Sequence, residues 1–81
     1  MTDVIKVDLE IDLRGEVCPY TFVKSKLALE EMGKAQVLQV IVDHLPAVEN
    51  VPRSMNIEGQ EILEVAQIDQ ADWRIIVRKV H

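Results

Sequence analysis

Asp12-Leu13-Arg14-Gly15-Glu16-Val17-Cys18-Pro19-Tyr20-Thr21 is the stretch on which the reading of the chain turns. Before it, Val7, Leu9, Ile11 and Leu13 alternate with Asp8, Glu10 and Asp12, the period of a strand with one buried and one wet face. After it, Phe22, Ser25, Ala28, Leu29 and Met32 fall on one arc at about 100° per residue, the core face of a helix. The stretch therefore joins a predicted strand, Val4–Leu13, to a predicted helix, Pro19–Met32. Pro19 suits the first helical position, where its missing N–H would have no partner. Cys18 is then the N-cap, with its sulfur beside the free N–H groups of the first turn and the positive end of the helix dipole. Both favour thiolate, the reactive form. Thr21 falls at the third helical position, so its N–H is placed to donate to that sulfur. Arg14 and Gly15 put a cation and a flexible joint just ahead of it. The residues alone leave a second reading open, because free cysteines are commonly small buried hydrophobes.

Further along the helix, Tyr20, Val23 and Leu27 share an arc opposite the core face. They read either as isolated exposed apolar residues, which are common, or as a docking patch one turn from Cys18. Lys24 and Lys26 read as solvated charges, with a raised potential near Cys18 as the alternative. For Arg14 a solvated loop charge is favoured over a partner for anionic sulfur. Gly33 suits a C-cap. Gln36–Asp43 is nearly continuous apolar, as a central strand is. The helix between it and the first strand implies a parallel pair with a right-handed crossover.

His44–Glu58 reads as a second helix, opened by Pro46, kinked at Pro52 and ended by Gly59. Asp43 lies on the same sheet edge as Cys18. Capping this helix is its favoured role and a part in the site the alternative. His44 reads as an exposed loop residue. Gln60–Ile68 and Trp73–Val80 are strands joined by the four-residue turn Asp69-Gln70-Ala71-Asp72, with Trp73 packing on the sheet and His81 a loose terminal residue. The order predicts an α/β two-layer sandwich, βαβαββ, with both helices on one face of a mixed four-stranded sheet.

At 81 residues the expectation is a single domain, 1–81. The apolar fraction of 48% is enough for a packed core. One cysteine excludes an internal disulfide and fits a reducing, cytoplasmic setting. No apolar run approaches the ~20 residues of a membrane span, and Met1-Thr2-Asp3-Val4 lacks a signal-peptide pattern. Two histidines and one cysteine, far apart, lack metal-site spacing, and no cofactor is expected. The net charge of −5 argues against a phosphate-gripping, nucleic-acid-binding surface and suits docking on basic partners.

Asp12-x-x-Gly15-x-x-Cys18-Pro19, followed by a helix with a basic residue at Lys26, resembles the TusA/SirA family of small sulfur-carrier proteins. A second similar segment is Val40-Ile41-Val42-Asp43, then a short helix with Val51-Pro52 and a closing strand pair. The resemblance runs from Leu9 to the C-terminus. It departs at Thr21, where the family's Cys-Pro-x-Pro signature has its second proline. The resemblance implies a βαβαββ sandwich in which Cys18 carries sulfur as a persulfide, as a sulfurtransferase component. It also implies a protein donor of the cysteine desulfurase or rhodanese type and a protein acceptor. Relatives serve tRNA thiolation, molybdenum cofactor maturation or sulfur oxidation.

Two function classes follow. The first is a persulfide carrier centred on Cys18 and supported by Pro19, Thr21, Arg14, Gly15, Lys26 and Asp43. The second is a non-catalytic interaction or regulatory module whose contact patch is Tyr20, Val23 and Leu27. Peroxide sensing is a third, more distant reading.

Overall fold

The most apolar run of the sequence becomes the centre of the sheet. In the computed structural model, which describes residues 6–17 and 20–81, the strand order is β1-β2-β4-β3. Strand β2 (Val37–Val42) pairs in parallel with β1 (Leu9–Asp12), from Leu9↔Leu38 to Asp12↔Ile41. On its other side β2 pairs antiparallel with β4 (Trp73–Arg78), from Val37↔Arg78 to Val42↔Trp73. Strand β3 (Glu61–Gln67) closes the sheet beside β4, with a register shift between Ile62 and Glu64. Such irregularities make an edge strand a poor template for further pairing. Helix α1 (Tyr20–Glu30) connects β1 to β2, and α2 (Leu45–Ile57) connects β2 to β3. The architecture is the expected two-layer sandwich.

Alternation divides the sheet into two faces. Leu38, Val40 and Val42 of β2 and Ile75 and Val77 of β4 point to the helices, where they pack with Leu13, Leu29, Ala47, Val51 and Met55. Trp73 packs against the same cluster, as expected. Val37, Ile41 and Ile76 alternate to the other face and are buried all the same. That face carries the cross-strand pairs Arg74–Glu64 and Arg78–Glu61, and Gln39 Nε2 donates to Glu10 Oε1 (2.9 Å). The aliphatic stems of such side chains cover apolar residues while their charged ends stay wet. Burial on both faces explains why 37–42 reads without a period.

Several element ends differ from the sequence reading. The expected first strand, from Val4, begins at Leu9, and residues 1–5 lie outside the described residues. At Asp8 the carboxylate, not a carbonyl, takes the Val37 N–H (2.8 Å), which ends the regular ladder. Helix α1 stops at Glu30. Gly33 is not its left-handed cap; the positive φ (70°) falls on Ala35. The Lys79 ammonium instead donates to the carbonyls of Glu30 (3.1 Å) and Met32 (2.7 Å). Such a cation at a helix C-terminus also matches the dipole. Gly59 does end α2: it has φ 89°, with Gly59 N–H to Asn56 O (3.0 Å) and Gln60 N–H to Met55 O (3.0 Å). His81 is not loose, since its N–H donates to Gln60 Oε1 (3.2 Å).

Candidate functional site

Because β1 and β2 are parallel, both end at one edge of the sheet, and antiparallel β4 begins there. The segment leading to Cys18 leaves from this edge. Leu13 N–H donates to Ile41 O (2.8 Å), carrying the ladder one residue past β1, and Glu16 N–H returns to Leu13 O (3.1 Å) to close a turn. Gly15 stands in that turn at φ 89°, where a side chain would be strained.

Three aspartates, one from the end of each of three strands, hold this turn. Asp43, after β2, accepts the Gly15 N–H at Oδ1 (2.9 Å). Asp12, at the end of β1, accepts from the Arg14 backbone N–H (3.0 Å), from Nε (3.0 Å to Oδ1) and from a terminal guanidinium nitrogen (2.7 Å to Oδ2). Asp72, just before β4, accepts from the other terminal nitrogen of Arg14 (3.3 Å). The guanidinium and the Arg14 N–H hold the Asp12 carboxyl at about 2, below the usual carboxylate value, and Asp12 in turn raises Arg14. Asp69 Oδ1 accepts the N–H groups of Ala71 (3.0 Å) and Asp72 (2.9 Å), which shapes the hairpin tip and lowers the Asp69 pKa.

These contacts correct one expectation, for Asp43, and add partners to the surface charges expected at Arg14, Lys24 and Lys26. Arg14 is the exposed loop charge expected, and in addition it is held by two carboxylates at close range. Asp43 does not cap α2. The N-cap there is His44, without a side-chain cap bond, and Asp43 is turned to Gly15, a neighbour across the sheet edge. Lys24 and Lys26 are paired, to Glu16 (2.8 Å) and Glu58 (2.9 Å). Glu58 raises the Lys26 pKa and ties it to the C-cap of α2, where it lines a cavity of ≈ 200 Å³ with Leu29 and Met55. Lys26 thus belongs to the space between the helices and not to the turn.

Cys18 and Pro19 lie outside the described residues, and so does the reading of Cys18 as N-cap. On their far side, the N–H groups of Tyr20 (2.8 Å) and Thr21 (3.3 Å) are both directed at Val17 O. As for Thr21, the expected bond from its N–H to the Cys18 sulfur lies outside the described residues as well. The Thr21 side chain is fully buried, as is that of Ser25, with Leu29 nearly so. Phe22, Ala28 and Met32 flank them, partly buried. The inward stripe is therefore the expected arc with Thr21 added at its N-terminal end. On the outer side, Val17 (50%), Tyr20 (58%), Val23 (43%) and Leu27 (55%) are exposed. Among the described residues there is no group of three His, Cys, Asp or Glu able to hold a metal ion, and no helix long and apolar enough to cross a membrane.

Sequence reasoning missed Asp72 and Asp69. The Asp12-x-Arg14 spacing is a local signal for an ion pair. The partner 58 residues away leaves no such trace.

A profile of the family described as "Sulfurtransferase TusA" matches residues 9–79. An Archaeoglobus fulgidus protein named "Putative sulfur carrier protein" is 48% identical over 75 residues, 93% of this chain and 85% of that one. A Thermotoga maritima protein of the same name is 33% identical over 73 residues, 90% of this chain and 92% of that one. Among solved structures, the SirA-like protein of Desulfitobacterium hafniense superimposes with a TM-score of 0.79 at 27% identity, over 90% of this chain and 99% of that one.

Proposed function

The chain belongs to the TusA sulfurtransferase family, and from that premise we propose that it relays sulfur between proteins as a persulfide on Cys18. The observation that carries the reading is the built turn before this cysteine. A glycine at positive φ is pinned by Asp43, an arginine is pinned by Asp12 and Asp72, and the residues flanking 18–19, Val17 and Tyr20, are exposed. Such a turn presents the segment that follows it in one direction, as a group meeting large partners requires.

The chemistry balances without an outside oxidant. The Cys18 thiolate attacks the outer sulfur of a donor persulfide, of the cysteine desulfurase or rhodanese type. A new S–S bond forms to Cys18, the donor's S–S bond breaks, and the donor leaves as thiolate. An acceptor thiolate then attacks the outer sulfur, and Cys18 leaves as thiolate. No second cysteine is present to expel the cargo as sulfide by closing a disulfide. Helix α1 begins at Tyr20, two residues after Cys18 in the chain, so its positive end belongs to this reading, as does Pro19 as a residue suited to a helix start, and Thr21 supports the site by burial. Tyr20, Val23 and Leu27 are the partner contact. That same patch favours the second reading, an interaction module without transfer chemistry. The destination of the sulfur is tRNA thiolation, cofactor maturation or sulfur oxidation, and the setting is cytoplasmic. The whole chain, 1–81, acts as one domain.

Intact-mass measurement after incubation with a cysteine desulfurase or a rhodanese and its sulfur source tests this. The expected result is a gain of about 32 Da per sulfur, absent in Cys18→Ser. No gain with either donor, together with partner binding unchanged in Cys18→Ser, transfers support to the interaction module.

A further inference from the structure

We propose that Asp72, on the β3–β4 hairpin, is a positioning residue for the Cys18 segment, acting through Arg14. The inference rests on the reading of Cys18 as the reactive group. The three aspartates at the turn are not equivalent. Asp12 is two residues from Arg14 and fixes the guanidinium only to its own strand. Asp43 fixes the Gly15 N–H to the neighbouring strand. Asp72 alone reaches from the far side: β4 is two strands from β1, about 10 Å at the usual strand spacing. The Arg14 side chain therefore crosses the end of β2 to meet it.

The burial of the two ends points the same way. The Asp72 side chain is 14% exposed, against 51% for Arg14. A carboxylate so far removed from water needs a partner, and Arg14 is the cation that the described residues offer within 4 Å. Asp72 is also held in place. Asp69 takes its N–H, and its own carbonyl accepts from Ile68 N–H (2.9 Å). The hairpin tip is thus a rigid mount, and the turn before Cys18 is fastened to it.

The test uses the protein alone. Amide hydrogen exchange is measured at Gly15, Glu16 and Val17, and the pH profile of Cys18 alkylation by iodoacetamide is followed beside it. In Asp72→Asn the three amides exchange about tenfold faster while β2 and β4 stay protected. If Cys18 is the N-cap of α1, as the sequence suggests, the alkylation midpoint also rises toward the ordinary thiol value near about 8.5, because a loosened turn no longer holds the thiol there. Arg14→Lys keeps the charge but cannot bridge both carboxylates, and gives the same two changes. Asp72→Glu reverses them, and Glu64→Gln, on the same hairpin, produces neither.

A midpoint that falls in Asp72→Asn means that Asp72 acts only through its charge, and overturns the proposal. So does exchange that rises throughout the sheet, or either readout left at its wild-type value in both Asp72→Asn and Arg14→Lys. Neither measurement involves sulfur transfer. Failure to load sulfur with these results intact sinks the persulfide reading and leaves the clamp.

Discussion

Helix α1 presents two unlike faces, and each carries residues of the unexpected polarity. Inward, Thr21 and Ser25 are completely buried beside Leu29; outward, Tyr20, Val23 and Leu27 stand in solvent. An amphipathic helix ordinarily does the reverse. The inward choice has a cause within the fold. Small side chains let the first turns of α1 lie close to the sheet. The Ser25 hydroxyl donates to Thr21 O (2.6 Å), and among the described residues no buried side-chain nitrogen or oxygen lacks a partner. The outward choice has no such cause among the described residues, since none of the three belongs to the core cluster or packs against it. An apolar stripe beside the proposed sulfur-bearing residue gains its reason from what meets it.

The sharpest way to break this contrast is to truncate one leucine on each face. Leu29→Ala opens a cavity against Met55 and the sheet and should cost about 3 kcal/mol, read by urea unfolding. Leu27→Ala should change stability by no more than about 0.5 kcal/mol, yet slow sulfur transfer from a protein donor severalfold while leaving iodoacetamide alkylation of Cys18 unchanged. Equal losses of stability would make the two faces alike. An unchanged transfer rate would leave the outer stripe without a role.

The two faces were not equally legible in the sequence. Periodicity found the strands, the helices and the exposed arc, because each is a local repetition of apolar residues. It found the inward stripe, since Phe22, Ser25, Ala28, Leu29 and Met32 are all buried or packed against the core, but left out Thr21, which is polar by type. The same limit applies at the site. Gly15 and Arg14 were visible as turn residues, but the hydrogen bonds that hold them come from Asp43 and Asp72, 28 and 58 residues away. Asp43 read as a helix cap because caps are local and its actual partner is not.

Acid sharpens the contrast between a helix held by packing and a turn held by charge. Asp12 titrates at about 2 in the folded chain, below its ordinary 3.8. A depressed carboxylate contributes stability that is fully present above its unfolded value and is lost as pH falls toward the folded one. The window is thus between about pH 4 and pH 2, and the Asp69 shift acts in the same direction. Amide exchange at residues 14–17 should accelerate in that window, once the pH dependence of intrinsic exchange is divided out, before exchange at residues 25–29 does. Asp12→Asn should weaken the pH dependence at the turn, leaving the share that Asp69 supplies. Simultaneous release of both segments would show that the turn has no separate stability.

The smallest expected effect is the most searching for the inward face. Ser25→Ala deletes the hydroxyl that donates to Thr21 O. In an α-helix that carbonyl also receives the Ser25 backbone N–H, so it keeps a partner when the hydroxyl is gone. The lost bond, worth about 1 kcal/mol at most, is offset by the better helix propensity of alanine, about 0.5 kcal/mol. Size hardly changes, so the close approach of α1 to the sheet is kept. Unfolding free energy should therefore stay within about 0.5 kcal/mol of wild type, while Ser25→Leu, which must push the helix outward, should lose about 1–3 kcal/mol. If Ser25→Ala proved as costly as Ser25→Leu, the hydroxyl and not the small volume would be what the inward face requires, and the account of why α1 buries polar residues would have to start from hydrogen bonding.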